Sequence, residues 1–88
     1  MSEGHEAAEA IGSVTHWYGH LSVAGIQLTA SLAVGDRIHI RGHSTDLVET
    51  VRSIEIEHQK VDRAKPGDAA AVAVDGRVHE HDLIFHEA

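Results

Sequence analysis

The sequence predicts an all-β fold, a small antiparallel barrel around one core, and three observations carry that prediction. In "RIHIR" (37–41), Ile38 and Ile40 point one way while Arg37, His39 and Arg41 point the other, the two-residue period of a strand with one dry face and one wet face. Short β-branched runs recur between Gly, Asp and Pro turn signals, giving about six or seven strands. Aromatic residues are 3% of the 88 residues, against 42% apolar overall. Val, Ile, Leu and Ala must therefore fill the interior, which suits a narrow barrel.

The length points to a single domain. Residues 1–10, "MSEGHEAAEA", are polar and have no apolar stripe. One helical turn there is marginal in water, so a flexible acidic tail is expected over 1–10 and the β-domain over 11–88. "IGSVTHWY" and "LSVAGIQL" read as a hairpin turning at Tyr18-Gly19-His20, with Ala24, Ile26 and Leu28 on one face. Val34-Gly35-Asp36 turns the chain into the 37–41 strand. In "LVETVRSIEIEHQ", Val51 and Ile54 are three apart, so a bulge or bend near Arg52-Ser53 is needed to turn both inward.

The only proline of the chain lies in "IEHQKVDRAKPGD" (56–68). After Ile56 the chain is expected to cross to a new strand through a solvated loop carrying Lys60, Asp62, Arg63 and Lys65. Pro66-Gly67 then makes the turn into "AAAVAV". There Val72 and Val74 form one face and Ala69, Ala71 and Ala73 the other. Asp75-Gly76 is a hairpin signal, and "LIFH" is the last strand.

No cysteine is present, which excludes a disulfide framework, a thiolate metal site and a thiol nucleophile. No secretory leader or long apolar run is found, so a cytoplasmic protein with no membrane contact is expected. The formal charge is −7; Glu3, Glu6 and Glu9 lie in the first ten residues, which leaves −4 on residues 11–88. Such a balance opposes sequence-blind nucleic-acid binding. Protonating all nine histidines would carry the charge from −7 to +2, a swing centred near the histidine pKa of about 6.5; surface histidines with no special role give the same count.

"LAVGDRIHIRG", "VRSIEIEHQKVDRAKPGDAAAVAV" and the closing "HDLIF" resemble the second domain of elongation factor Tu and related translational GTPases, above all the small stand-alone elongation-factor-like proteins. The likeness covers about residues 11–86. The tail barrel of certain collagenase-like peptidases also looks similar. The resemblance implies a closed six-stranded antiparallel Greek-key barrel. It also implies contact with tRNA, rRNA or translation factors. A family glutamate that lies against the terminal adenosine of tRNA falls on Glu55. The following family positions, an aromatic or histidine and then arginine, fall on Glu57 and His58. That exchange works against holding a phosphate. The GTPase signature loop is absent, so no GTP chemistry is expected.

Candidate binding residues are therefore Glu55, Glu57 and His58, the basic residues Lys60, Arg63 and Lys65, and Trp17, one of two adjacent rings of which a strand would expose one. His79 and His81, about 7 Å apart at strand rise, could join His86 in a divalent-metal site, though no third ligand is fixed by the pattern. His16/His20 and His39/His43 are too far apart along a strand. No nucleophile elbow is found, and the Glu55/Glu57 pair suits a solvated strand face as well as an acid–base pair. The expectation is a non-catalytic module without a cofactor that touches RNA or the translation apparatus, or else a protein-interaction module or assembly subunit with no nucleic-acid role.

Overall fold

The structure, a computed structural model, describes residues 9–87, and every regular element in them is a β-strand. The tail expected over 1–10 lies, apart from Glu9 and Ala10, outside the described residues. In chain order the strands are β1 (Gly12–Tyr18), β2 (Val23–Leu28), β3 (Leu32–Ala33), β4 (Arg37–Arg41) and β5 (Asp46–Thr50). They are followed by β6 (Ile54–Ile56), β7 (Gln59–Val61), β8 (Arg63–Ala64), β9 (Ala69–Ala73) and β10 (Leu83–His86).

Eight of them form one antiparallel sheet in the order β5-β4-β10-β1-β2-β9-β6-β7, and β3 pairs with β8 in a separate ribbon. Alternation sets the inner face. Ile38, Ile40, Ile84, Val14, Ala24, Ile26, Leu28, Ala70, Val72 and Ile54 are all buried in one cluster. Strands from both halves of the sheet thus share a core, which requires the sheet to curl. The ribbon joins the same core. Leu32 in β3 and Ala64 in β8 are wholly buried, and the Val34 amide donates to the Asp62 carbonyl at 2.9 Å.

The closed six-stranded barrel is therefore corrected to an open half-barrel of eight strands plus a ribbon. The reason is local. β7 is three residues long, and after Asp62 the chain turns away to pair with β3, so β7 and β5 remain the two edges of the ladder.

Two irregularities aim the side chains. The β1–β2 register shifts between Val14 and His16. The extra residue, Thr15, lets Val14 and Trp17, three apart, both meet the core. At Val51–Ile54 the strands end and the chain bends, leaving both side chains 1% exposed, as their spacing requires.

Two further expectations change. The segment after Ile56 is not a loop but a tight β6–β7 hairpin continuing into β8. Asp75-Gly76 does not make a hairpin, because β9 lies between β2 and β6 whereas β10 lies between β4 and β1. The Pro66-Gly67 turn is present: Gly67 has φ +94, and the Lys65 amide donates to the Asp68 carboxylate at 2.8 Å. No helix of the described residues is long and apolar enough to cross a membrane.

Candidate functional site: a small-residue groove on the outer face

The outer face has a groove because its middle strands carry almost no side chain there. In register across the sheet stand His16 on β1, Gly25 on β2, Ala71 on β9, Glu55 on β6 and Lys60 on β7. Gly25 and Ala71 make a low floor between taller neighbours, and Ala69 and Ala73 extend it along β9. The alternation that buries Val72 and Val74 thus also lays a strip of alanines outward.

Two cavities, of about 260 and 470 Å³, occupy this groove and share Tyr18, Glu55, His58 and Ala71. Thr15 and Tyr18 form one wall. The opposite wall is Glu55 together with the hairpin residues Glu57 and His58. Leu21, 69% exposed, lies at the open end beside Val23 and Ser53. Tyr18 is 46% exposed, and its ring lies 4.4 Å from that of His16 at an interplanar angle of 47°.

The hairpin wall is locally strained. Its two turn residues, Glu57 and His58, have φ of +52 and +68, the left-handed pattern of a tight two-residue turn that favours Asn-Gly. Both turn residues are exposed, and Glu55 is half-buried. Among the described residues, no hydrogen bond or ion pair engages the carboxylate of Glu55 or Glu57. Neither cavity is lined by Lys or Arg.

Of the binding residues expected from sequence, Glu55, Glu57 and His58 meet in the groove. Lys60 stands behind Glu55 on the edge strand, Arg63 is on the β3–β8 ribbon and Lys65 precedes the proline turn, so the basic residues do not form one patch with the groove. Trp17 packs against the core, and its neighbour Tyr18 is the ring on the surface. The two signals missed were the Thr15 bulge, which decides which ring faces out, and Gly25, which completes the floor begun by the outward alanines.

The histidines expected as metal ligands do not converge. His79 Nδ1 lies 2.9 Å from the Thr45 hydroxyl, His81 is in a turn with φ +78, and His86 Nε2 lies 3.2 Å from Asp36. No group of three or more His, Asp or Glu side chains among the described residues is placed to hold a metal ion. The physical reason is that 79–81 lie in a turn ahead of β10 rather than on a strand. Elsewhere histidines meet carboxylates individually: His39 bonds Asp46 and lies 3.8 Å from Glu87, and His16 lies 3.7 Å from Glu80. The hydrogen bond from His39 holds the Asp46 carboxyl below its ordinary value; desolvation opposes it, and the charges of His39 and Arg41 add to the lowering.

No family model matches the chain. An uncharacterised protease of Methanocaldococcus jannaschii is 40% identical over 76 residues, which is 85% of this chain and 19% of the protease. The chain thus spans about a fifth of the length of that relative. Two crystal structures of the C-terminal domain of a Geobacillus thermoleovorans U32 peptidase share the fold. One has a TM-score of 0.85 at 18% identity, covering 99% of this chain and all of that domain. Its selenomethionine variant has a TM-score of 0.82 at 18% identity, covering 88% and 98%. These matches overturn the elongation-factor likeness: the chain is similar in fold to the C-terminal domain of a U32 peptidase and in sequence to part of an uncharacterised protease.

Proposed function

We propose that this chain is a non-catalytic polypeptide-binding domain of the kind that accompanies U32-type peptidases, and that the outer groove is its binding surface. The observation that carries this reading is the groove itself, a small-residue channel with an aromatic wall on one side and, on the other, carboxylates that have no partner among the described residues. It has the width for an extended chain. Its walls stand on β1 and β6, three strand spacings or about 14 Å apart, and one extended backbone takes up about 4.8 Å of sheet width.

The likeness to a discrete C-terminal domain, and to a protease of which this chain spans only a fifth, supports a role beside a catalytic unit. The absence of Lys and Arg from the groove, together with a formal charge of −7, favours a polypeptide over tRNA or rRNA. The cysteine-free composition supports a cytoplasmic setting.

The test is a titration of the ¹⁵N-labelled chain with an unfolded, soluble protein such as reduced and alkylated α-lactalbumin, and separately with total tRNA. The amides of Gly25, Ala69, Ala71 and Glu55 are expected to shift with the polypeptide and to stay in place with tRNA. No new peptide termini should be released. A response to tRNA alone, or cleavage by the purified chain, overturns the reading.

A further inference from the structure

We infer that the groove selects a basic side chain: a lysine or arginine of an extended peptide lies between the Tyr18 ring and the Glu55 carboxylate, with Glu57 at the entrance. This rests on the polypeptide-binding reading above and names what is recognised.

Tyr18 and Glu55 belong to opposite walls, and both line both cavities. What separates them on the sheet is Val23 on β2 and the Gly25, Ala71 and Ala73 positions, so a long side chain entering from above can touch ring and carboxylate together. An exposed tyrosine face attracts a cation. A half-buried carboxylate that has lost part of its hydration and has no partner among the described residues gains most from a cationic donor. Lys60 does not fill that role. It stands opposite Glu55 in the β6–β7 register but on the far side from Ala71, and no ion pair joins the two. Glu57 adds a second negative charge at the rim, and the net charge of the chain steers basic peptides toward it. Anionic and phosphate-bearing ligands meet the reverse.

Blocked pentapeptides Ser-Val-X-Val-Ser, with X as lysine, arginine, norleucine or glutamate, test this by titration against the ¹⁵N-labelled chain. The lysine and arginine peptides are expected to bind about tenfold or more tightly than norleucine, since a hydrogen bond to a charged group is worth at least a decade in affinity. The glutamate peptide should bind most weakly. Glu55→Gln, isosteric and on the outer face, should erase the lysine–norleucine difference, and Tyr18→Leu should reduce it. Ala71→Val, which raises the floor with a good strand former, should abolish binding of every peptide. Each variant's spectrum reports independently whether it is folded. Equal binding of all four peptides in the groove overturns the basic-residue selection and leaves the polypeptide reading standing. Binding of none, by a folded chain, overturns both. A lysine preference that survives Glu55→Gln also overturns the assignment.

Discussion

The Glu49 carboxylate accepts the backbone amides of Asp75 at 2.9 Å and of Gly76 at 3.0 Å. Glu49 is on β5, one edge of the sheet, whereas Asp75 follows the end of β9, sixth in the order. The contact therefore joins parts of the sheet that the strand ladder leaves apart. Arg52 adds to it with an ion pair to Asp75 at 2.9 Å, and Leu47 packs so closely that a Cβ at Gly76 would lie 2.6 Å from it. Replacing Glu49 by alanine should lower stability by about 1–2 kcal/mol, because two amides lose a charged acceptor at a partly exposed site. Glu49→Gln should keep part of that. Urea denaturation measures both, and an unchanged midpoint for Glu49→Ala would show that the curl does not depend on this contact.

The β6–β7 turn should be improvable at the cost of the groove. Each non-glycine residue held at positive φ costs about 1–2 kcal/mol, and Glu57 and His58 are two in succession. The double change Glu57→Asn, His58→Gly gives the turn its preferred residues and should raise stability by about 1–2 kcal/mol. It also removes the Glu57 charge and the His58 ring from that wall, leaving Glu55, so peptide binding should weaken in the same protein. Differential scanning calorimetry and the peptide titration check the two halves. A stabilised variant that binds as well as the parent would remove the two turn residues from the site.

Acid should weaken the β4–β5 edge through Asp46. Its folded pKa is depressed, first by the hydrogen bond from His39, so its contribution to stability is fully present above the ordinary carboxylate value of about 3.9. That contribution is lost as pH falls through the lower, folded value. In Asp46→Asn it is missing throughout. The melting temperatures of the two proteins should differ at pH 5 and converge as the pH drops below 4, and high salt should shrink the gap because the pair is exposed. A constant gap down to pH 2 would contradict the assignment.

The parts of this fold written as alternation were legible from the sequence. Ile38 and Ile40, Ala24, Ile26 and Leu28, and Val72 and Val74 all turn inward. The same rule puts Ala69, Ala71 and Ala73 outside, where they are the groove floor. Positions where geometry overrides composition were not legible. Glu57-His58 carries no turn preference, so composition favours a loop where the chain forms a hairpin. Asp75-Gly76 carries one, yet is held by Glu49 instead. The Thr15 bulge reverses the faces of Trp17 and Tyr18, and a bulge costs no particular residue type. The likeness to elongation factors failed for a related reason. Gly-Asp turns and short alternating strands satisfy the demands of many small curled sheets, so their order identifies a kind of fold more readily than a lineage.

Two glycines of the β1–β2 hairpin should respond oppositely to the same methyl group. A Cβ on Gly12 would lie 2.6 Å from the backbone carbonyl oxygen of Gln27. That atom belongs to the partner strand and cannot move without shifting the ladder, and Gly12 also pairs with Ile84 on its other side. Gly12→Ala should therefore cost about 1–3 kcal/mol, the usual range for forcing atoms into a packed site. At Gly25 the nearest atom to an added Cβ is the Thr15 hydroxyl at 3.3 Å, a side-chain atom, with Tyr18 next at 3.6 Å. Gly25→Ala should leave stability unchanged or raise it by about 0.5–1 kcal/mol, since alanine orders the strand more cheaply than glycine. It should at the same time raise the groove floor beside Tyr18 and loosen the peptide. Denaturation curves and titrations on the two variants separate the roles. Equal destabilisation by both would mean that Gly25 serves the fold and not the groove.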